Sequence, residues 1–118
     1  MSEGHIMKRI SAREAVGLDG SSAIVDVRED DEYAAVHVVG SLSIPLSCFV
    51  DRIDQVPLGA PVYVICASGN RSAKVTEYLS ARDYDATNID GGIIGWASCG
   101  GPTASGAPSA IELHTVRE

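Results

Sequence analysis

The 118-residue sequence has no excess of basic residues. It contains 9 lysines and arginines against 16 aspartates and glutamates, which gives a net charge of −7. Proteins that bind nucleic acid or anionic membranes in a general way need basic surface, so we expect neither partner. No apolar run approaches the roughly 18 residues that a membrane helix requires, and the start, MSEGHIMKRI, lacks the apolar stretch of a secretory signal. These absences favour a soluble, cytoplasmic protein.

Cysteine is also scarce. The chain has three, Cys48, Cys66 and Cys99, and no two of them have the C-x-x-C spacing that is typical of thiolate zinc sites. We therefore predict no metal and no other cofactor. An odd number of cysteines without a secretory signal fits a reducing compartment, where thiols stay free and one of them can be reactive.

Short apolar runs alternate with helix signals along the chain. Helices are indicated by a capping box at Ser11, by acidic residues ahead of a segment ending at Ala35, and by the pattern over 71–82. A further helix is predicted because Leu46, Phe49, Val50 and Ile53 have helical spacing. The predicted strands are 23–27, 42–46, 62–66 and 86–89.

The alternation predicts an α/β fold, in which a parallel sheet is covered by helices on both faces. We assign residues 1–100 to a single domain. Residues 101–118 begin in a stretch rich in Gly, Pro, Ala and Ser, which predicts a flexible or wrapping C-terminal tail.

The stretch YVICASGNRS, 63–72, holds the candidate nucleophile. It places Cys66 at the carboxyl end of a predicted buried strand, the edge at which parallel sheets bind ligands. Four small or polar residues follow, and then Arg71 and Ser72 open a helix. An isolated strand-end cysteine is usually a small buried hydrophobe, but the Gly, Arg and Ser that follow favour a reactive thiol.

The candidate loop can supply the positive potential that lowers a thiol pKa. Its backbone N–H groups can point inward as an anion-binding nest, reinforced by the helix dipole. Gly69 gives the loop conformational freedom, and Arg71 adds a permanent charge with a fork of donors. The predicted binding loop consists of Ala67, Ser68, Gly69, Asn70, Arg71 and Ser72.

Four motifs in order resemble those of the single-domain rhodanese, or thiosulfate sulfurtransferase, family. They are VDVRE (25–29), EYAAVHVVGSLSIPL (32–46), YVICASGNRS (63–72) and IDGGIIGW (89–96). The resemblance implies a rhodanese-like fold with a central five-stranded parallel sheet and helices on both faces. It also implies that Cys66 carries a persulfide.

The implied reaction is a double displacement. The Cys66 thiolate takes the outer sulfur of thiosulfate or a related small anionic donor, and the sulfur then passes to a thiol or cyanide acceptor, or to a protein acceptor. An alternative is a sulfur-carrier or regulatory module that serves one protein partner without turnover. Cysteine phosphatases usually have five residues between Cys and Arg, whereas four separate Cys66 from Arg71, so the smaller loop favours a single added sulfur atom.

The resemblance also assigns supporting roles. Asp26 and Arg28 match an Asp-x-Arg pattern and are expected to orient the loop through ionic hydrogen bonds, although an ordinary surface pair is the alternative. His37 is expected to be structural and Trp96 to be a packing residue. Cys99 is either incidental or able to resolve the Cys66 persulfide as a disulfide.

Overall fold

The structure, a computed structural model, describes residues 7–108. Strands and helices alternate along most of this length. The helices are α1 (Ala12–Val16), α2 (Asp30–Ala35), α3 (Asn70–Ser80) and α4 (Gly92–Ser98). The strands are β1 (Lys8–Ser11), β2 (Ala23–Asp26), β3 (His37–Val38), β4 (Leu42–Ser43), β5 (Pro61–Ile65), β6 (Asp85–Asp90) and β7 (Thr103–Ala104).

Five strands form one parallel sheet in the order β1-β6-β5-β2-β4. Side chains alternate between the two faces of each strand. Val62 and Val64 of β5 join an apolar cluster with Val75 and Leu79 of α3. On the opposite face, Ile65 joins a cluster that includes residues of α1 and α4. The predicted α/β fold, with its five-stranded parallel sheet and helices on both faces, is confirmed.

The capping box at the start of α1 is present as predicted. The Glu14 N–H donates to Ser11 Oγ at 3.0 Å, and the Ser11 N–H donates to Glu14 Oε1 at 2.9 Å. These reciprocal bonds satisfy two backbone donors at the helix start. Within residues 7–108, no helix is both long and apolar enough to cross a membrane.

The helix predicted from Leu46, Phe49, Val50 and Ile53 is wrong in type. The segment forms two short 3-10 helices, Leu46–Cys48 and Val50–Gln55. A 3-10 helix has three residues per turn instead of about 3.6, so the four apolar side chains do not form one continuous face. Phe49 lies in a core cluster against which Ile53 packs, whereas Val50 is 62% and Leu46 40% exposed.

Two pairings lie outside the sequence prediction. β1 adds a parallel edge strand beside β6. β7, in the predicted tail, pairs antiparallel with β3, and Trp96 Nε1 donates to the Pro102 carbonyl at 3.0 Å. The first part of the predicted tail thus wraps against the domain, and 109–118 lies outside the described residues.

The sheet topology brings two sequence motifs to one edge. β2 and β5 are neighbours, and Asp26 is paired in register with Ile65. The residues that follow these two strands, Val27-Arg28 and Cys66-Ala67, therefore leave the sheet side by side at its carboxyl edge.

Candidate active site

The chain coils around the sulfur of Cys66 immediately after β5. Cys66 is 1% exposed. The Gly69 N–H donates to Sγ at 3.1 Å, and Ser72 Oγ donates to Sγ at 3.3 Å. Gly69 has a φ of +108°, in the left-handed region that favours glycine, so the tight return of the chain depends on this residue.

The loop lowers the pKa of the Cys66 thiol. Burial is the largest single influence and acts to raise the pKa. It is outweighed by hydrogen bonds from the Ser72 hydroxyl and from the backbone N–H groups of Ser72, Gly69 and Ser68, which together hold the pKa below its ordinary value. A larger fraction of the thiol is therefore present as thiolate, the nucleophilic form.

The predicted loop residues differ in how they meet the sulfur. Gly69 and Ser72 contact it directly, and Ser68 contributes its backbone N–H while its side chain is exposed. Ala67 is half-buried, and Asn70 is exposed as the first residue of α3. The arrangement is a nest of backbone donors with one hydroxyl added.

Helix α4 orients the loop from behind. The Ile93 N–H donates to the Cys66 carbonyl at 2.8 Å, and the Ile94 N–H donates to the Ala67 carbonyl at 3.2 Å. These two carbonyls therefore point at α4 rather than at the sulfur. Gly92 permits the approach, because a Cβ there would overlap both carbonyl oxygens. In the sequence these residues stand out only as part of the motif IDGGIIGW, and the paired glycines at the start of α4 were the available clue.

A second missed residue lies behind the loop. Asn88 of β6 is 1% exposed, and its Nδ2 donates to the Gly69 carbonyl at 3.4 Å and to Asp90 Oδ1 at 2.8 Å. The amide thus links the sheet to the residue whose N–H meets the sulfur. A single polar residue in a predicted strand gave no sequence signal for this contact.

Asp26 and Arg28 form a buried ion pair, so the alternative of an ordinary surface pair is wrong. Their side chains are 0% and 4% exposed, with Arg28 Nη2 at 2.8 Å from Asp26 Oδ2. Arg28 also donates to the carbonyls of Glu32 at 3.3 Å and Val36 at 2.6 Å. The pair therefore fastens α2 to the end of β2.

Two nitrogens of Arg71 are bonded to a carboxylate, a contact that the sequence did not predict. Its Nη1 and Nη2 lie 2.8 and 2.9 Å from the two carboxylate oxygens of Glu32, a residue 39 positions earlier in the chain. Both side chains are 34% exposed. The contact with Arg71 lowers the pKa of Glu32 to about 2 and raises the pKa of Arg71, to which the nearby Cys66 charge contributes.

His37 and Trp96 are packing residues in the structure. The His37 ring stacks on Tyr33 with centroids 3.8 Å apart, and its Nδ1 donates to the Tyr33 carbonyl at 2.7 Å. Trp96 is 5% exposed and lies in the cluster that α1 and α4 share. These contacts agree with the structural roles expected for both residues.

The other two cysteines are free and half-buried. Cys99 follows the last turn of α4, whose first turn meets Cys66. Both alternatives for Cys99, an incidental thiol and one that resolves the Cys66 persulfide, stay predictions. Cys48 lies 3.8 Å from Arg52 Nη1.

Comparison with known proteins identifies the family. The model of the Rhodanese-like domain matches residues 9–99. The chain belongs to the rhodanese family. One curated rhodanese relative is Thiosulfate sulfurtransferase GlpE of Pseudomonas entomophila, 36% identical over an alignment of 102 residues that covers 84% of this chain and 94% of that protein. GlpE of Pseudomonas fluorescens is 34% identical and covers 86% and 95%.

Solved rhodanese structures agree with the fold described above. A rhodanese-related protein of Thermoplasma volcanium has a TM-score of 0.78 at 30% identity and covers 82% of this chain and 97% of its own. A rhodanese-like domain protein of Staphylococcus aureus has a TM-score of 0.70 at 35% identity, with 76% and 91% covered.

Proposed function

We propose that this protein transfers a sulfane sulfur from thiosulfate, or from a related small anionic donor, through a persulfide on Cys66 to a thiol or cyanide acceptor. Membership of the rhodanese family and identities of 36% and 34% to thiosulfate sulfurtransferases support the class of reaction. The hydrogen bonds of the loop to Sγ support the choice of Cys66 as the residue that carries the sulfur.

In the first step the Cys66 thiolate attacks the outer sulfur of the donor. A sulfur–sulfur bond forms at Cys66 Sγ, and the donor's own sulfur–sulfur bond breaks. The electron pair of the broken bond leaves on sulfite when thiosulfate is the donor. The lowered pKa of Cys66 raises the fraction of thiolate that is available for this attack.

In the second step an acceptor nucleophile attacks the outer sulfur of the persulfide. The bond between the two sulfurs breaks, and the Cys66 thiolate is released with its electron pair. A cyanide acceptor becomes thiocyanate, and a thiolate acceptor becomes a persulfide. Preorganised backbone donors are suited to stabilising an anionic persulfide between the two steps.

One observation carries the assignment: the Gly69 N–H and the Ser72 hydroxyl both donate to the sulfur, at 3.1 and 3.3 Å. An inert buried cysteine does not require donors of this kind. With a free thiol at its centre, the site needs a reducing compartment, so we propose the cytoplasm as the location. A small thiol or a protein thiol is then the natural acceptor.

Steady-state turnover with thiosulfate and cyanide tests the proposal. We expect thiocyanate to form over many cycles for each chain, and Cys66→Ser to abolish its formation. A chain that accepts a single sulfur and releases none would instead identify a carrier. A Cys66→Ser variant that keeps its turnover would remove Cys66 from the mechanism.

A further inference from the structure

The guanidinium of Arg71 is already bonded to a carboxylate. Its two terminal nitrogens are each bonded to a carboxylate oxygen of Glu32, at 2.8 and 2.9 Å. A bidentate pair of this kind engages the guanidinium edge that the two terminal nitrogens form. A donor that reaches Cys66 therefore meets the backbone donors of the loop beside an arginine whose charge is already paired.

Glu32 also cancels the charge that Arg71 brings to the loop. Its pKa of about 2 keeps the carboxylate ionised at every pH at which a thiolate reacts. Glu32 belongs to the first turn of α2, next to the exposed carboxylates of Asp30 and Asp31. Only Glu32 of these three acids is paired with Arg71, and the two side chains together bring no net charge to this side of the loop.

Hydrogen bonds from Arg28 and from the Glu29 backbone hold Glu32 in position. Arg28, paired with Asp26 in the interior, donates to the backbone carbonyl of Glu32 and to that of Val36. The Glu29 N–H donates to Glu32 Oε1 at 3.0 Å. These bonds therefore hold the Glu32 carboxylate next to the Arg71 side chain.

We propose that Glu32 is a specificity-determining residue that selects against sulfur donors of higher negative charge. This inference rests on the proposed sulfurtransferase function and names the donor class within it: monoanionic sulfane donors are favoured over the thiosulfate dianion. Glu32 acts by neutralising the charge of Arg71, which would otherwise attract a dianion more strongly than a monoanion. Donor discrimination should then follow the donor's charge, because Coulomb energy scales with charge.

Two donors with the same chemistry and different charge provide the test. Thiosulfate is a dianion, and benzenethiosulfonate is a monoanion. Each gives its outer sulfur to the Cys66 thiolate, and the electron pair of the broken sulfur–sulfur bond leaves on sulfite or on benzenesulfinate. The measured quantity is the ratio of kcat/KM for thiosulfate to kcat/KM for benzenethiosulfonate. A change in the loop or in the Cys66 pKa affects both donors, so the ratio isolates donor charge.

Glu32→Gln keeps the shape of the side chain and removes its charge. We expect the ratio to rise about 5- to 10-fold, as for one charge removed at close range behind partial screening. The matched control is Asp31→Asn, the same charge change one residue away on an exposed side chain, for which we expect less than about a twofold change. A ratio that is unchanged or lower in Glu32→Gln, or that rises equally in Asp31→Asn, would overturn the proposal.

The wild-type protein gives a second test that does not depend on a variant. Salt screens exposed charges, so raising the ionic strength should raise the ratio in the wild type. A ratio that stays flat or falls with salt would contradict a charge filter. Persulfide formation on Cys66 tests the proposed function separately. A persulfide from either donor supports that function whatever the ratio shows, and a persulfide from neither donor would refute it.

Discussion

Two ion pairs hold helix α2 in place beside the site, and they differ in how deeply they are buried. Asp26–Arg28 lies in the interior, with side chains 0% and 4% exposed. Glu32–Arg71 lies at the surface, with both side chains 34% exposed. We call the first pair, together with the contact of Gly92 on the loop, the floor of the site. We call the second pair the rim.

The difference in burial predicts different roles for the two pairs. Removing one partner of a buried pair leaves an uncompensated charge in a medium that cannot solvate it, whereas exposed pairs contribute little to stability. Within the floor, Gly92 meets the loop directly and the buried pair holds α2 at the end of β2. The rim can change its charge without changing the fold. Substitutions in the floor should affect folding first, and substitutions in the rim should affect the choice of donor first.

The largest loss of stability is expected for Asp26→Asn in the floor. The amide keeps the shape of the carboxylate but leaves the Arg28 charge buried and unpaired, so we expect a loss of about 3–5 kcal/mol in the free energy of unfolding. Urea denaturation measures it. Asp30→Asn, an exposed acid in the first turn of α2, serves as control and should stay within about 0.5 kcal/mol. Equal effects of the two changes would show that burial of the Asp26–Arg28 pair does not set its contribution to stability.

Gly92→Ala should lose about as much stability as Asp26→Asn. The new Cβ would overlap the carbonyl oxygens of Cys66 and Ala67, so α4 must move away from the loop. Gly100→Ala is the matched control, because Gly100 also has a positive φ, +77° against +57°, but nothing lies within 4 Å of its Cβ position. Backbone strain costs about 1–3 kcal/mol in either variant.

We expect Gly92→Ala to lose about 2 kcal/mol more than Gly100→Ala, as an overpacked contact does. We also expect it alone to lose about tenfold or more in turnover, since misplacement of reacting groups by about 1 Å has effects of that order. If both alanines reduce turnover alike, the contact between α4 and the loop is not what positions Cys66.

Ser72→Ala should cost about 1 kcal/mol of stability, through one lost hydrogen bond, and should change the pH profile more visibly. Burial raises the pKa of Cys66 and the Ser72 hydroxyl opposes it, so the pKa rises when the hydroxyl is removed. Because the thiolate is the reacting form, persulfide formation rises with pH through this pKa. Its profile in Ser72→Ala should therefore shift to higher pH, with a rate at pH 7 that is about 5- to 10-fold lower.

Ser68→Ala is the control for Ser72→Ala, since the Ser68 side chain is exposed and its contribution comes from the backbone. Its pH profile should match that of the wild type. Single-turnover rates measured across a pH series give both profiles. Superimposable profiles for Ser72→Ala and the wild type would show that the hydroxyl does not tune the thiol.

Arg71→Ala, in the rim, should have the smallest effect on stability, within about 1 kcal/mol. It leaves Glu32 unpaired beside the loop, so kcat/KM for thiosulfate should fall about 5- to 10-fold. Arg71→Lys should restore it in part, because lysine supplies the charge without the planar fork. Equal kinetics for Arg, Lys and Ala at this position would mean that the rim does not influence the donor.

The sequence was informative where the physics is local. The strand, Cys66, Gly69 and the start of α3 are contiguous, so their order predicted the loop, and the capping box at Ser11 predicted the start of α1. The Glu32–Arg71 pair joins residues 39 positions apart. No local pattern shows which carboxylate an arginine will contact. The sequence therefore did not predict that the charge of Arg71 is paired.

Other differences have the same origin. The N–H groups of α4 meet the Cys66 and Ala67 carbonyls because β6, which precedes α4, lies beside β5 in the sheet. The two residues of β7 pair with β3, more than 60 positions earlier in the chain, and carry no strand pattern of their own. At 46–55 the apolar spacing was compatible with an α-helix, but the segment adopts the tighter 3-10 turns.

The central claim is that Cys66 carries the transferred sulfur, and intact mass after exposure to thiosulfate tests it most directly. The wild type, Cys48→Ser and Cys99→Ser should each gain the mass of one sulfur atom and lose it again when cyanide is added. Cys66→Ser should gain none. A persulfide that persists in Cys66→Ser, or that disappears in Cys48→Ser or Cys99→Ser while Cys66 is intact, would contradict the account.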